Sequence, residues 1–450
     1  RVRSSAASDV YKRQHIYIIF MIIYALSSGP GLSGLAVIRV SGEGALNIIQ
    51  KITNEQIPTP RVATLRNIRK FGSDEIIDRG IILWFPGPGS YTGEDLIELH
   101  IHGSLAVINE IQNTLSKFKN CRLAEPGEFT KLAFQNGKIN LLEAESIGDL
   151  ISAETEIQRR QAIDIMSGLQ GKKFESWRSR LVKILSNLEA KIDFPEEDLP
   201  KDILSEIHKT SNDVKNEIKK ALDDQKVGER IREGFKIAIL GPANAGKSSL
   251  LNYLSKREVA IVSEIAGTTR DVIETHLNID GYPVIMSDTA GIRDAQDEIE
   301  KKGVKLALKK AENADLNIVV IEPKSGYFTG VLKGLVNSDK TILIVNKSDL
   351  GTKNIEKELS KFNPIYISIM KETNVDKLIS EIRNKLKNKF VTTDDTIITR
   401  ERHRQHLIQC YENLDNFENK KKEEEFDKAA EDLRLAIRNL GMIVGKVDVE

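Results

Sequence analysis

The sequence predicts a multidomain chain of α/β and purely α parts. An N-terminal α+β domain is followed by a helical domain, and a parallel-rich α/β domain flanked by helices is inserted into the helical one. Three observations predict this. Short strand-like apolar runs mix with helical periodicity over the first part of the chain. A long stretch then reads as almost entirely helical, with charged faces. Strand-like and helical runs next alternate, as in βαβ units with a parallel sheet, before the helical pattern returns to the end.

The bulk numbers agree. A chain of 450 residues suits about two to four domains. With 40% hydrophobic and 29% charged residues, it can form cores and is not of the disordered class. Lys+Arg and Asp+Glu number 66 each, so net charge makes no case for nucleic acid and any RNA contact needs a local patch. Cys121 and Cys410 give neither a disulfide framework nor a zinc spacing, which fits a reducing compartment.

Residues 1–20 open with RVRSSAASDVYKRQ, a patternless polar run resembling a translated adaptor, and are read as a non-native extension. The following HIYIIFMIIYAL is shorter than the ~20 residues of a bilayer span and lacks a small-residue cleavage site. We expect a buried first strand from near Met21, no membrane association and a cytoplasmic location. Residues 21–136 form the α+β domain, with strands LAVIRV and IILWFP and the helix LAVINEIQNTLSKF. Residues 137–232 are the first helical part, broken at DFPEEDLP. Residues 233–393 carry the strand-like runs KIAIL, YPVIMSD, LNIVVIE, TILIVNK and PIYIS between helical ones. Residues 394–450 return to helix. There the KKKEEE run reads as a solvated face, and RERHR (400–404) reads as a solvated helix end in preference to an RNA contact. The two helical parts make one domain from which the α/β unit protrudes, an insertion of the kind tolerated where termini lie close.

The chemistry sits in the α/β unit. GPANAGKSS (Gly241 to Ser249) has the P-loop spacing between a strand and a helical run. Backbone N–H groups of Asn244, Ala245, Gly246, Lys247, Ser248 and Ser249 would cradle phosphates at a helix N-terminus. Lys247 would reach the β/γ phosphates, and Ser248 would ligate Mg²⁺. NKSD follows TILIV. Its Asp349 carboxylate can accept from guanine N1–H and the 2-amino group, which adenine lacks, and Asn346 and Lys347 complete that motif. AGTTRD (Ala266 to Asp271) lies where a switch threonine belongs, so Thr269 is a second Mg²⁺ ligand. The segment Ser263, Glu264, Ile265, Ala266, Gly267, Thr268, Thr269 is assigned to the nucleotide as a whole. In DTAG, Asp288 would hold Mg²⁺ through water and the Gly291 N–H would meet the γ-phosphate, with Thr289 and Ala290 assigned to GTP binding beside them. In this order the motifs predict a Ras-like P-loop G domain. A fifth element near ISIMKE departs from the usual S-A-K, with Ile369 where a small residue is usual. Base contacts there stay open. A second departure is Ile292, placed after Gly291 where Ras-type proteins carry a water-orienting glutamine.

These motifs, with GLAVIRVSG, PGSYTGEDLIELHIHGS, PGEFTKLAFQNGKINLLEAE, DFPEEDL and EDLRLAIRNLG, resemble the bacterial tRNA-modification GTPase family MnmE, also called TrmE, over about Tyr24 to Glu450. The resemblance implies an answer to the missing glutamine. K⁺ beside the P-loop, held by Asn244, Ser263, Ile265 and Thr268, would supply charge as two G domains face each other. Ser263 stands where some members have threonine. Glu300 would orient the water through a second water; without the resemblance it reads as a helix-surface carboxylate. The N-terminal domain would be folate-binding-like and would form a homodimer. Arg39, Glu98 and Lys138 would hold 5-formyl- or methylene-tetrahydrofolate, although Glu98 in LIELHIH could as well face solvent. His100 and His102 are assigned no metal. The implied reaction is C5 modification of the tRNA wobble uridine, U34, adding a carboxymethylaminomethyl or aminomethyl group with an FAD-containing partner, MnmG (GidA). The family's C-terminal C-[IV]-G-K motif does not occur here, so a truncated terminus is expected. The alternative is a GTP-switched ribosome-assembly or scaffold GTPase, ranked lower because such proteins lack the SYTGED…ELHIHG and PGEFT…NGK blocks.

Overall fold

The computed structural model describes residues 21–194, 202–257, 259–261, 274–288, 298–323, 330–352, 359–389, 396–420, 422 and 425–446. The chain divides after Ala144 into two compact units. Among the described residues no helix is long and apolar enough to cross a membrane.

The first unit holds β1 (Ile22–Leu26), β2 (Ser33–Ser41), β3 (Thr64–Arg69), β4 (Ile76–Phe85), β5 (Leu96–Gly103) and β6 (Cys121–Leu123). They form one sheet in the order β3-β4-β5-β2-β1-β6, antiparallel except where β1 meets β6. LAVIRV becomes β2 because a strand's side chains alternate between faces. Ala36, Ile38 and Val40 fall on one face, and all three are buried. On β5, Ile97, Leu99 and Ile101 are buried likewise, leaving Glu98 and His100 on the other face. Helices Ala45–Thr53 and Leu105–Ser116 close the core with Ile48, Ile49 and Ile52, and with Ile108, Ile111 and Leu115. The second helix starts at Ser104, whose hydroxyl accepts from the Val107 N–H at 3.3 Å, a side-chain N-cap.

In the second unit, β7 (Phe235–Leu240), β8 (Val259–Ile261), β9 (Glu274–Ile279), β10 (Tyr282–Asp288), β11 (Leu316–Ile321), β12 (Thr341–Val345) and β13 (Ile365–Tyr366) form a sheet in the order β13-β12-β11-β7-β10-β9-β8. The pairings from β13 through to β10 are parallel, as the alternating runs predict. The β10-β9-β8 edge is antiparallel. LNIVVI is buried at every position, as a central parallel strand flanked by helices must be. β9 was not anticipated, because ETHLNI buries only Leu277 and Ile279 fully and reads weakly as a strand. It joins β10 through Asp280 and Gly281, with φ of 52° and 86°, the two-residue primed turn that matches strand twist.

The helices Glu401–Glu418 and Phe426–Val444 pack on Ile203–Leu222 and Leu169–Asp193, respectively. So the helices that follow the α/β part pack on those that precede it. Phe174 and Trp177 meet edge-on at 5.8 Å in this core, and the Trp177 indole N–H donates to Glu217 Oε2 at 2.6 Å. The entering helix Val227–Glu233 runs against the leaving segment. A Cβ on Gly228 would sit 2.2 Å from the Ile398 carbonyl oxygen. The chain therefore enters and leaves the α/β part side by side, which is the geometry an inserted domain requires.

RERHR is not a solvated helix end. Arg404 pairs with Asp224 at 2.6 Å and Glu229 at 3.1 Å and donates to the Leu222 carbonyl at 3.0 Å. His403, 1% exposed, lies 2.9 Å from Glu145 Oε2, with Arg402 3.1 Å from the same carboxylate. Arg400 and Arg232 share Asp149 at 2.7 and 2.9 Å. The stretch is a structural ion-pair network that joins both helical parts to the entry of the α/β part. Burial pushes the Glu145 carboxyl up, but hydrogen bonds from His403 and Arg402 outweigh it and hold it at about 2, against the ordinary 4.5. Burial holds the His403 imidazole below its ordinary 6.5 despite Glu145. Both groups take up protons more readily in the unfolded chain. Stability is therefore lost as pH falls, below about 6.5 for His403 and from about 4.5 toward 2 for Glu145. Glu145→Gln is expected to lower stability at neutral pH by on the order of 3 kcal/mol and to flatten the acid-side loss. Urea midpoints at about pH 7 and about pH 4 check this; the same acid loss in both proteins would contradict it.

Candidate nucleotide-binding site

β7 delivers the P-loop. Its residues Ile237 to Leu240 are buried, and the chain leaves the sheet at Gly241 with φ of 143°. A Cβ there would lie 2.0 Å from the Val320 carbonyl oxygen on β11, so only glycine lets the loop pass. Gly246, with φ of 97°, needs glycine for another reason: a Cβ would lie 2.2 Å from Asn346 Nδ2. The two glycines of the P-loop spacing thus serve contact with the sheet and contact with NKSD. Helix Lys247–Arg257 starts immediately afterwards, with its first N–H groups and positive dipole end at the loop.

Asn244, Gly246, Lys247, Ser248 and Ser249 line one side of a cavity of about 690 Å³, and Asn346, Lys347, Asp349, Leu350, Ser368, Ile369 and Met370 line the other. That volume lies within the 300–1,000 Å³ range of small-molecule sites (roughly). Lys247 is buried and donates from Nζ to the Pro242 carbonyl at 3.0 Å. Ser248 and Ser249 are exposed to the cavity. The buried Asn346 amide donates to the Ala245 carbonyl at 2.9 Å, and its oxygen accepts from the Ile369 N–H at 3.3 Å. Lys347 Nζ donates to the Asn244 carbonyl at 2.8 Å and to Glu322 Oε2 at 2.5 Å. Asp349 is exposed, and a hydrogen bond from Ser368 holds its carboxyl below the usual range. It is ionised at neutral pH and able to accept two N–H bonds.

The contact left open at Ile369 has a geometric answer. Its side chain packs against the core beneath the sheet, while Met370, 93% exposed, sits on the cavity with Leu350. The large side chain is shared between that core and the cavity wall, with its Cδ1 4.0 Å from where a Cβ on Gly246 would stand. The donors suit Mg²⁺ at the phosphate end. Ser248 supplies a hydroxyl next to Lys247, a hard oxygen donor that matches a hard cation, and the backbone of β10, parallel to β7, ends at Asp288 opposite Ile239.

Of the other predicted residues, Ser263, Glu264, Ile265, Ala266, Gly267, Thr268, Thr269, Thr289, Ala290, Gly291 and Ile292 lie outside the described residues, as do the side chains of Asp288 and Glu300. Glu300 stands in the first turn of helix Glu298–Asn313.

The first unit pairs two residues of its predicted set and sets the third, Lys138, against the loop at Gly93. Arg39 and Glu98 are register partners on β2 and β5, and Arg39 Nε donates to Glu98 Oε1 at 2.9 Å. Glu98 therefore does not merely face solvent. His100 Nε2 lies 3.1 Å from its other oxygen, and His102 Nδ1 lies 2.8 Å from Asp78 Oδ1. The Arg39 guanidinium also stands 5.9 Å from the Tyr91 ring centre. Lys138 reaches the same loop, since a Cβ on Gly93 would touch its Cδ at 3.4 Å. The adjacent Asn136 amide donates to the Thr92 carbonyl at 2.7 Å. Sequence reasoning missed Tyr91 and Glu322; the one signal for Glu322 was its place at the end of LNIVVIE.

A profile described as "GTP-binding protein TrmE N-terminus" matches residues 22–138, and one described as "MnmE helical domain" matches residues 141–450. The tRNA modification GTPase MnmE of Pelagibacter ubique (strain HTCC1062) is 67% identical over 430 residues, 96% of this chain and 97% of that protein. The protein of the same name from Parvibaculum lavamentivorans is 44% identical over 430 residues, 95% of this chain and 96% of that protein. Among solved structures, the G domain of the T. maritima FeoB iron transporter matches at 25% identity and a TM-score of 0.28, over 34% of this chain and 98% of that one. P-loop and NKSD motifs that line one cavity, two profiles that together take in nearly all the described chain, and relatives similar from end to end lead to one conclusion: the chain belongs to the MnmE (TrmE) family of tRNA modification GTPases.

Proposed function

We propose that the protein is a K⁺-stimulated GTPase that takes part, in the cytoplasm, in C5 modification of the tRNA wobble uridine U34 with an FAD-containing partner, MnmG. The observation that supports this reading most is the single cavity shared by the P-loop and NKSD. In it Lys247 and the first N–H groups of its helix would hold the phosphates, and Asp349 would select guanine. Ser248, Thr269 and Asp288 would hold Mg²⁺. The exposed Asn244, with Ser263, Ile265 and Thr268, would hold K⁺. Bound there, the cations would neutralise charge developing on the transferred phosphoryl group. Ile292 cannot orient water, and Glu300 would do so through a second water. GTP turnover would open and close paired G domains, a gate of the lid type.

In the N-terminal domain, which would also form the homodimer, Arg39, Glu98 and Lys138 would hold a one-carbon tetrahydrofolate. A guanidinium and a carboxylate set on one strand pair suit the donors and acceptors of a pterin edge and the folate carboxylates. The test is nucleoside analysis of U34 in tRNA from cells lacking the protein. We expect unmodified C5, restored by the wild-type gene and not by Arg39→Ala. Normal U34 without the protein would favour the ribosome-assembly or scaffold alternative.

A further inference from the structure

The two loops that frame the nucleotide cavity are joined by the Asn346 amide and by the Lys347 ammonium group. Asn244 and Lys347 both hold left-handed backbone, with φ of 63° and 58°, a conformation that costs a non-glycine residue free energy and persists only when its surroundings enforce it. The Lys347 ammonium is bound to the Asn244 carbonyl at 2.8 Å and to the Glu322 carboxylate at 2.5 Å. Glu322 differs from the other two in its support. It directly follows Val320 and Ile321 of β11, both buried, on a strand paired to β7 on one side and β12 on the other. The pair is partly shielded from water, with side-chain exposures of 37% for Lys347 and 25% for Glu322. A lysine ammonium rides on a flexible four-carbon stem, so its position is set by the charge it meets. Here that charge stands on the rigid sheet, and the carbonyl it also holds belongs to the loop.

We infer that Glu322 is a positioning residue for both ends of the cavity. By fixing Lys347 it shapes the base slot beside Asp349, and through Lys347 it orients Asn244 toward the cation. Glu322 itself need touch neither nucleotide nor cation. The cation half of this inference rests on the proposed K⁺ reading; the base-slot half does not.

Glu322→Gln keeps the shape and an acceptor oxygen but removes the charge. Release of a fluorescent GDP analogue should become about 10-fold faster, the scale of losing one charge-assisted hydrogen bond. The K⁺ concentration for half-maximal GTP turnover should rise roughly 5-fold or more, while turnover at saturating K⁺ stays within about twofold of wild type. A variant that is only less stable would instead lose turnover equally at every K⁺ concentration. Glu322→Asp, which restores the charge on a shorter arm, should recover part of the K⁺ shift. If Glu322→Gln matches wild type in both GDP release and K⁺ half-activation, the inference is overturned. If wild-type turnover is indifferent to K⁺, the cation half falls with the K⁺ reading. The base-slot half is then upheld by faster GDP release and ended by unchanged release.

Discussion

Asp349→Asn is expected to weaken GTP binding by roughly 100-fold or more and to improve binding of xanthosine triphosphate. The carboxylate would accept two N–H bonds from guanine, each charge-assisted and worth about 1.5–3 kcal/mol. An amide in its place turns one acceptor into a donor, which faces the guanine 2-amino group unfavourably and suits the carbonyl that xanthine carries there. The residue is exposed and is held in its ionised form by Ser368, so the substitution removes base recognition without disturbing a core. Competition binding of GTP and xanthosine triphosphate to wild type and variant checks it. Unaltered preference for GTP would mean that the base does not lie against NKSD.

Glu300→Ala is expected to lower kcat by roughly two or more orders of magnitude while GTP affinity stays nearly intact, the range for losing a positioned group that handles a proton or orients water. The backbone of this residue belongs to the first turn of helix Glu298–Asn313. There the positive end of the helix dipole favours the ionised carboxylate, which is the form that can accept a hydrogen bond from water. Ile292, which cannot orient water, leaves that role open. Single-turnover rates with nucleotide affinity measured in parallel separate the two parameters. Unchanged turnover would return Glu300 to the ordinary helix surface.

What could be read from the sequence was whatever depends on residues near one another in the chain. P-loop spacing is legible because Gly241 and Gly246 each occupy a backbone conformation no other residue fits, and the chemistry fixes the distance to Lys247 and Ser248. Buried strands such as LNIVVI are legible because full burial demands an unbroken apolar run. β9 was not, because a half-exposed strand next to the sheet's edge carries mixed side chains. RERHR was misread for a related reason. The partner of His403 is Glu145, 258 positions earlier, and no local pattern distinguishes an arginine bound for an internal carboxylate from one bound for water. Glu98 illustrates the intermediate case. Its alternation on a strand was visible, but its engagement depends on Arg39, 59 positions away and brought opposite only by the β2–β5 register. Ile369 posed a question of side-chain direction, and only packing could answer it.

Steady-state GTP turnover in K⁺ and in Na⁺, at matched ionic strength and saturating Mg²⁺, bears on the cation mechanism with the fewest assumptions. Faster turnover in K⁺, with nucleotide affinity alike in both salts, is the predicted result. Equal rates in the two salts would contradict it, because no other group assigned to the site supplies the positive charge given to K⁺, and Glu300 is assigned only to the water.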